Sequence, residues 1–320
     1  MFHGPLDQPT VKGLQILRKR IAEGHILPSK LDETINIATW NIREFGQKPR
    51  RQASLHYIAE ILYQFDLIAI TELRENISDL AKVMDIMGPY WRVIFSDFTP
   101  DRAGNKERMA YLYDKRGVIF TGLAAEADAP RKKNQKTGEY VPELDWWRSP
   151  FIASFRAGNF DFVVISAHIR WGRGETDRIR PLKLLADWID TRRRSRHNID
   201  DDIILLGDFN IPAINDELYK AITSKGLRAP TPILQQEFGS NLSRDRRYDQ
   251  IFHYPLFKGA ITDQGGVLDF YHGNHQALYP DVNMSKHQFT FELSDHLPLW
   301  VQINVDSEHA SLNQKLKFVG

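Results

Sequence analysis

The stretch LLGDFN, residues 205–210, is a short apolar run that ends in Gly207, Asp208, Phe209 and Asn210. An aspartate and an asparagine two positions apart are unexpected at the end of a strand that is otherwise apolar. A strand that closes in an Asx turn would explain them, because Asp and Asn side chains bond nearby backbone amides. The alternative is that this strand ends at the rim of an active site.

Polar side chains also stand at the ends of other apolar strands. Each one alone is explained by a turn, a cap or a structural histidine. Burying such groups unpaired costs several kcal/mol each, so a shared site where they pair with each other and with a metal accounts for the whole set. The set is Asn41 in TWN, Glu72 in AITEL, His168 in ISAH, Asp208 and Asn210 in LLGDFN, Asp249 in RYDQIF, and Asp295 and His296 in LSDHLPLW.

The composition limits the chemistry that is available. The chain has 320 residues and no cysteine, which excludes disulfides, thiol catalysis and Cys-ligated zinc. A metal site must then use carboxylate, amide or imidazole ligands, which suit Mg²⁺, Mn²⁺ or Ca²⁺. The formal net charge of +1 excludes neither nucleic acid nor lipid as a partner, because binding depends on where the charges cluster.

Membrane and targeting signals are not visible in the sequence. No segment approaches the roughly 20 apolar residues of a membrane span, and MFHGPLDQPTVKG, residues 1–13, lacks the pattern of a secretory signal. We predict a cytoplasmic monomer without a membrane span. A secreted protein whose signal has been removed would look the same.

Strand-like and helix-like patterns alternate along the chain. The first half predicts strand, helix, strand, helix and then several strands, and the second half repeats this order. Two mixed β-sheets packed together with helices outside, an α/β fold, fit the order. Predicted helices cover 14–24, 53–65, 77–87 and 181–194. Predicted strands cover 35–40, 66–71, 91–96, 109–114, 117–122, 151–156, 160–168, 202–207, 248–253 and 297–304.

We predict one domain over residues 35–305, because the sequence contains neither a repeat of solenoid length nor a low-complexity linker. An N-terminal arm with one helix, residues 1–34, precedes it, and a C-terminal tail, residues 306–320, follows it. Residues 126–144 lack any period and predict a long surface loop, which in a compact domain is often functional.

The ordered motifs WN, TE, SAH, GDFN, YDQI and SDHLP resemble the endonuclease/exonuclease/phosphatase superfamily over residues 35–304. GDFN followed by a later SDH is specific, whereas either motif alone is weak. IATWNIREFG, residues 37–46, is similar to the branch of pancreatic deoxyribonuclease, and Arg43 stands where apurinic endonucleases carry an acidic residue. The resemblance implies a four-layer α/β/β/α sandwich and a metal-dependent phosphodiesterase.

The resemblance also implies roles for the residues at the strand ends. Glu72 is the principal ligand of Mg²⁺ or Mn²⁺, with Asn41 and Asp295 close by. Asp208 orients or deprotonates the attacking water, and Asn210 bonds the phosphate. The two histidines flank the scissile phosphate, each paired with a carboxylate: His168 with Glu107, and His296 with Asp249.

Four arginines are candidate substrate contacts. Arg148 stands where the branch has a phosphate-binding arginine, and Arg74 where these nucleases reach into the minor groove. Arg43 and Arg170 complete the set. The branch has a stacking tyrosine where this chain has Asn105, so the minor-groove contacts are expected to differ. The secreted enzymes of the branch carry disulfides, which this chain lacks, and this difference fits an intracellular or bacterial relative.

Further basic and aromatic stretches have either a structural or a substrate-binding interpretation. Residues 170–197 hold nine Arg or Lys against four Asp or Glu, which predicts either a solvated helix face or phosphate contacts, the latter best placed in RWGRG after His168. RKKNQK, residues 131–136, is a candidate second phosphate-binding arm. Trp146, Trp147 and Trp171 either stack on bases or pack in the core.

We therefore predict an endonuclease that hydrolyses DNA with Mg²⁺ or Mn²⁺, and Ca²⁺ is a further candidate ion. The alternative is a phosphatase or phosphodiesterase of the same superfamily that acts on a small or lipid phosphoester. A third reading, a non-catalytic scaffold, is disfavoured because every expected catalytic position is filled.

Overall fold

The computed structural model describes residues 1–98, 105–129, 131–142, 147–254 and 260–306. The strands are β1 Thr34–Phe45, β2 Leu67–Leu73, β3 Trp91–Phe95, β4 Arg108–Asp114, β5 Ile119–Glu126, β6 Arg131–Lys133, β7 Tyr140–Pro142, β8 Phe151–Ala157, β9 Phe160–His168, β10 Ile203–Asp208, β11 Asp249–His253, β12 Ile261–Val267 and β13 Leu299–Asn304. The α-helices are α1 Gln8–Glu23, α2 Gln52–Leu62, α3 Ser78–Met87, α4 Thr176–Arg193, α5 Glu217–Thr223, α6 Thr231–Gln235 and α7 Lys286–Glu292.

The strands form two large mixed sheets and one hairpin. The first sheet has the order β12-β13-β1-β2-β4-β3, the second has the order β11-β10-β9-β8-β5, and β6 pairs with β7. Each large sheet contains a parallel pair, β1 with β2 and β9 with β10, between antiparallel neighbours. The prediction of two packed mixed sheets flanked by helices is confirmed.

Strand β1 shows why the sheets pack together. Its side chains alternate between two faces, as in any strand. Ile35 and Ile37 join the core that includes the second sheet and α4, whereas Ala38 and Trp40 join the core that includes α1, α2 and α3. Both faces of the first sheet are therefore buried, one by the second sheet and one by helices.

The two parallel pairs determine where the polar residues meet. The strands of a parallel pair end at the same sheet edge, so their last residues are neighbours. In the first sheet Asn41 is opposite Thr71, directly before Glu72, and in the second sheet His168 is opposite Asp208. The packing of the sheets brings these two edges together.

Several predicted elements differ from the structure. Helix α1 begins at Gln8, earlier than predicted, because Asp7 caps it by accepting a hydrogen bond from the Thr10 amide. Helix α4 begins at Thr176, and Pro181, predicted as its first residue, lies inside it. Strand β12 was missed because its sequence, ITDQGGV, has little apolar alternation and forms by pairing with β13.

The prediction of an irregular loop over residues 126–144 was wrong in part. The hairpin of β6 and β7 occupies its centre and carries the basic residues Arg131 and Lys133. Residues 130 and 143–146, including Trp146, lie outside the described part of the chain, as do residues 307–320 of the predicted tail. The division into arm, domain and tail stays a prediction.

Gly207 is required where β10 lies against β9. Its φ is 138°, and a Cβ at this position would lie 2.0 Å from the carbonyl oxygen of Ala167. The contact is with backbone, so a side chain cannot be accommodated by a rotamer change. The strand before Asp208 thus depends on glycine for its position.

We expect Gly207→Ala to lower the free energy of unfolding by about 3 kcal/mol or more, through backbone displacement and strain. Urea unfolding measures it. Gly117→Ala is the matched control, because Gly117 is in a turn with nothing within 4 Å of the added Cβ. A Gly207→Ala protein as stable as the control would contradict this account of the strand contact.

Asp202, directly before β10, makes stability depend on pH. Burial raises its pKa to about 7, and the negative charges of Asp200 and Asp201 add to the effect. Since the pKa is higher than the ordinary value of 3.8, the unfolded chain loses this proton first as the pH rises. Stability from this group is therefore complete at acid pH and is lost as the pH rises through about 7.

We expect Asp202→Asn to raise the melting temperature at pH 8 and to leave it nearly unchanged near pH 4, because the parent carboxyl is ionised in the fold only at the higher pH. Thermal unfolding at both pH values measures this. Asp85→Asn, an exposed position on α3, serves as control. An equal effect of Asp202→Asn at both pH values would refute the assignment.

Candidate active site

The polar ends of the four parallel strands line one cleft of about 550 Å³. Glu72 comes from β2, His168 from β9 and Asp208 from β10, and the amide of Asn41 on β1 lies behind them. Two residues of β1, Arg43 and Glu44, also line the cleft. Loop residues complete the wall: Arg74, Asn105, Glu107, Arg148, Arg170, Trp171, Asn210, Asp295 and His296.

The side chain of Asn41 joins the two sheets. Its Nδ2 donates to Glu72 Oε1 at 3.0 Å and to Asp208 Oδ2 at 3.0 Å. Because ionised carboxylates only accept hydrogen bonds, these contacts determine the orientation of the amide. The carboxamide Oδ1 is buried and has no hydrogen-bond partner among the described residues.

Glu72 has an unusual backbone conformation for a strand residue. Its φ is 61°, and the pairing of β2 with both of its neighbours is irregular at this point. The conformation turns the carboxylate towards the cleft, where Oε2 accepts a hydrogen bond from the amide of Glu44 at 2.9 Å. Non-glycine residues in this region are strained by about 1–3 kcal/mol, and such residues cluster at functional sites.

The donors around Glu72 fit a divalent cation. Ligand atoms of Glu72, Glu107 and His168 lie within 4.8 Å of one another. Glu107 is already paired with cations of the chain, which leaves the carboxylate of Glu72 and the unpartnered oxygen of Asn41 as the donors that fit. Both are hard oxygen ligands of the kind that Mg²⁺, Mn²⁺ and Ca²⁺ take.

Glu107 holds His168 and Arg148 together. Its Oε2 accepts from His168 Nδ1 at 2.9 Å and lies 2.5 Å from Arg148 Nε, while Oε1 accepts from Arg148 Nη2 at 2.8 Å. Burial by itself would raise the pKa of Glu107, but the charges of His168, Arg148 and Arg74 outweigh it and lower this pKa to about 2. The carboxylate is ionised and leaves Nε2 of His168 directed at Asp208, 3.6 Å away.

His296 forms the second histidine–carboxylate pair. Its Nδ1 donates to Asp249 Oδ2 at 2.7 Å, and its Nε2 lies 3.9 Å from Asp208 Oδ2. Burial alone would lower the pKa of His296, but the charges of Asp249 and Asp208 raise it well above its usual value. The raised pKa favours the positively charged imidazolium form of His296 at neutral pH.

Asp208 lies between the two imidazoles. Burial would raise its pKa, but the charges of His296 and His168, with hydrogen bonds from Asn210 and Asn41, keep it below the ordinary value. The backbone N–H of Asn210 donates to Asp208 Oδ1 at 2.9 Å, so an Asx turn does close β10. The end of LLGDFN is therefore both an Asx turn and part of the cleft wall.

The sequence profile of the Endonuclease/Exonuclease/phosphatase family matches residues 38–296. The chain belongs to this family. The predicted superfamily is confirmed, and the protein is a hydrolase that acts on phosphoester bonds. The family depends on divalent metals, which agrees with the oxygen donors at Glu72 and Asn41.

Two curated relatives of this family member are nucleases by name. A deoxyribonuclease of Thioalkalivibrio sp. is 27% identical over 296 residues, which cover 89% of this chain and 75% of that protein. Deoxyribonuclease-1 of Rattus norvegicus is 24% identical over 290 residues, which cover 86% of this chain and 93% of that protein.

The fold is also similar to that of solved structures. A mannosyl-6-phosphatase of Bacteroides thetaiotaomicron superposes with a TM-score of 0.54 at 16% identity, covering 83% of this chain and 98% of that one. In the described part of this family member, no helix has the length and apolarity needed to cross a bilayer.

The predicted substrate arginines reach the cleft in different ways. Arg43 stacks on Phe291, 4.0 Å from the ring centroid, and Arg170 stacks on Trp147 at 3.8 Å. Arg148 pairs with Glu107 and its side chain is only 9% exposed, and its Nη1 has no hydrogen-bond partner among the described residues. Three of these guanidinium groups are thus held by neighbours at the cleft wall.

Arg74 does not extend outwards, as a minor-groove contact requires. It is buried, pairs with Glu44 at 3.2 Å and with Glu107 at 3.7 Å, and donates to the carbonyl oxygen of Asn105. The two carboxylates draw the guanidinium into the cleft wall.

Two groups of ligand atoms lie within 4.8 Å of one another among the described residues, one of Glu72, Glu107 and His168 and one of Asp208, Asp249 and His296, and Asp295 belongs to neither. Its carboxylate lies 3.7 Å from Arg43 and is 43% exposed. A position beside an arginine reduces its capacity to bind a cation. Its role as a ligand stays a prediction, as do the roles of the other site residues.

Ser294 was not singled out from the sequence. Its Oγ donates to the carbonyl oxygen of Asn41 at 2.6 Å and accepts from the amide of His296 at 3.0 Å. This hydroxyl therefore attaches the loop of His296 to the end of β1. Its position directly before Asp295 in the SDH motif was the only sequence signal.

We expect Asp249→Asn to lower the pKa of His296 towards its ordinary value, because Asp249 is the largest of the charges that raise it. Histidine NMR titration in EDTA measures this. Asp295→Asn is the control, since Asp295 makes a smaller contribution. Equal shifts in the two variants would contradict the assignment of Asp249 as the principal partner.

Proposed function

We propose that this protein is a divalent-metal-dependent endonuclease that hydrolyses phosphodiester bonds in DNA. The observation that carries the proposal is the position of Asp208, which lies between two histidine–carboxylate pairs in a cleft lined by arginines. Water activation needs a base and protonation of the leaving oxygen needs an acid, and a carboxylate and an imidazole in one cleft supply both groups.

The cleft lining supports a polyanionic substrate. Arg43, Arg148 and Arg170 all line it, and arginine forks match phosphate oxygens. The two curated relatives named as deoxyribonucleases support DNA as the polymer. An arginine-lined cleft rather than an apolar one also favours a nucleic acid over a lipid.

In the proposed mechanism, Glu72 and the Oδ1 of Asn41 would hold the metal, Mg²⁺ or Mn²⁺. When bound, the ion supplies positive charge to the phosphoryl oxygens. Arg148 adds positive charge that does not depend on pH. The side-chain amide of Asn210 has two N–H groups, and the second of these donates a hydrogen bond to the phosphate. The first N–H donates to the carbonyl oxygen of Ile169 at 2.7 Å, which orients the amide.

Asp208 accepts a proton from the attacking water as its oxygen bonds to phosphorus. The bond from phosphorus to the leaving oxygen breaks, and His296 gives its proton to that oxygen. Asp249 keeps His296 protonated before the step. His168, oriented by Glu107, donates a hydrogen bond to the phosphate.

We expect Asp208→Asn to reduce the rate of plasmid nicking with Mg²⁺ by about 100- to 10,000-fold, the usual contribution of a general base. Wild-type nicking is expected with Mg²⁺ or Mn²⁺ and none with EDTA. Asp263→Asn, an exposed position on β12, is the control and should match the wild type.

A closed circular plasmid requires internal cleavage, so nicking distinguishes an endonuclease from an exonuclease. A parallel panel of bis-nitrophenyl phosphate, inositol phosphates and single-stranded RNA tests the alternatives. Activity on the small esters alone would reject the nuclease proposal and favour the phosphatase reading.

A further inference from the structure

A second pocket of about 330 Å³ adjoins the cleft and is used by no step of the mechanism. Trp171 lines both cavities, so the pocket and the cleft share this side chain as a wall. We call it the aromatic pocket. It is lined by Trp171, Arg173, Glu175, Arg178, Arg246 and Tyr248.

Trp171 is held firmly although 52% of its surface is exposed. The guanidinium of Arg178 lies 4.5 Å from the indole centroid, and its Nη1 donates to the carbonyl oxygen of Trp171 at 3.0 Å. The next turn of chain is held as well, because the amide of Arg173 donates to Asp177 Oδ2 at 2.9 Å. A ligand that stacks on this indole therefore needs little ordering of the protein.

Tyr248 provides a second aromatic wall. Its ring is 5.4 Å from that of Trp171 at an interplanar angle of 87°. On its other side it lies 5.9 Å from the ring of His296. A flat ring that enters the pocket can stack on one of these two aromatic side chains and meet the other with its edge. Only Tyr248 then separates Trp171 from His296, the proposed acid.

The side chains that line the pocket carry more positive than negative charge. Arg173, Arg178 and Arg246 contribute three positive charges against the one negative charge of Glu175. Arg178 is 2% exposed, and its Nε is buried without a hydrogen-bond partner in the described part of the chain. Aromatic walls combined with arginines favour a ligand that is flat and anionic.

We propose that the aromatic pocket binds the base of a nucleotide next to the scissile phosphate, and that the enzyme therefore prefers DNA in which this base is unpaired. The inference rests on the proposed nuclease function and names its substrate class. A base in a duplex is paired and stacked between neighbours, so it reaches a pocket of this kind only after leaving the stack. Single-stranded, frayed or mismatched DNA avoids that cost.

The test compares a single-stranded oligonucleotide with a blunt duplex of the same sequence, using wild type, Trp171→Ala and Trp171→Phe with Mg²⁺. We expect Trp171→Ala to lower kcat/KM on the single strand by about 10-fold or more, the usual effect of removing one stacking side chain. The change should fall mainly on KM, and the duplex should be affected much less. Trp171→Phe keeps a ring and should restore most of the loss.

The matched control is Tyr90→Ala. Tyr90 is also an exposed aromatic residue with an arginine over its ring, Arg116 at 4.7 Å. It directly precedes β3, at the end of the first sheet opposite to the cleft. This variant should cleave both substrates as the wild type does.

A second readout locates the base. The substrates are single strands that carry one abasic residue. The wild type should cleave poorly at the bond that lies a fixed distance from this residue, and the cleavage pattern of Trp171→Ala should not depend on where the abasic residue is. The inference is overturned if Trp171→Ala cleaves single strands as the wild type does, or loses as much on the duplex. A wild type that cleaves neither DNA but hydrolyses small phosphoesters would overturn the nuclease function itself, and this inference with it.

Discussion

The amide of Asn41 donates to a carboxylate of each sheet, Glu72 in the first and Asp208 in the second. These two hydrogen bonds connect the carboxylate that is proposed to bind the metal with the carboxylate that is proposed to activate the water. The same contacts orient the Oδ1 of Asn41, which is buried without a partner among the described residues. The relative position of the two sheets therefore determines how far apart the carboxylates of Glu72 and Asp208 lie.

The site also depends on charge compensation. Glu107, Asp208 and Asp249 are buried carboxylates, and an unpaired buried charge costs several kcal/mol. His168 and Arg148 neutralise Glu107, and His296 lies between the other two acids. Each pair serves the fold and the chemistry together, because the contact that stabilises a buried acid also orients an imidazole towards the cleft.

Much of the site was predictable from residues at strand ends. The polar residue that follows an apolar strand is visible in the sequence, and parallel strands place such residues at one edge, as Asn41, Glu72, His168 and Asp208 show. The burial of Arg74 was not predictable, since it depends on Glu44 at the end of β1 and on Glu107 in the loop before β4. The hairpin over Arg131–Pro142 was missed for the same reason, because strand pairing is not a property of a local pattern.

The sequence by itself determined the family, the two-sheet architecture and the set of polar groups at the strand ends. Motif order and period-two alternation are local along the chain and can be read there. Only the tertiary structure decided which groups are paired, which are buried and which oxygen lacks a partner. Those properties arise from contacts between residues far apart in sequence, such as Asn41 with Asp208 and Trp171 with Tyr248, whose distances are set by how the sheets and loops pack.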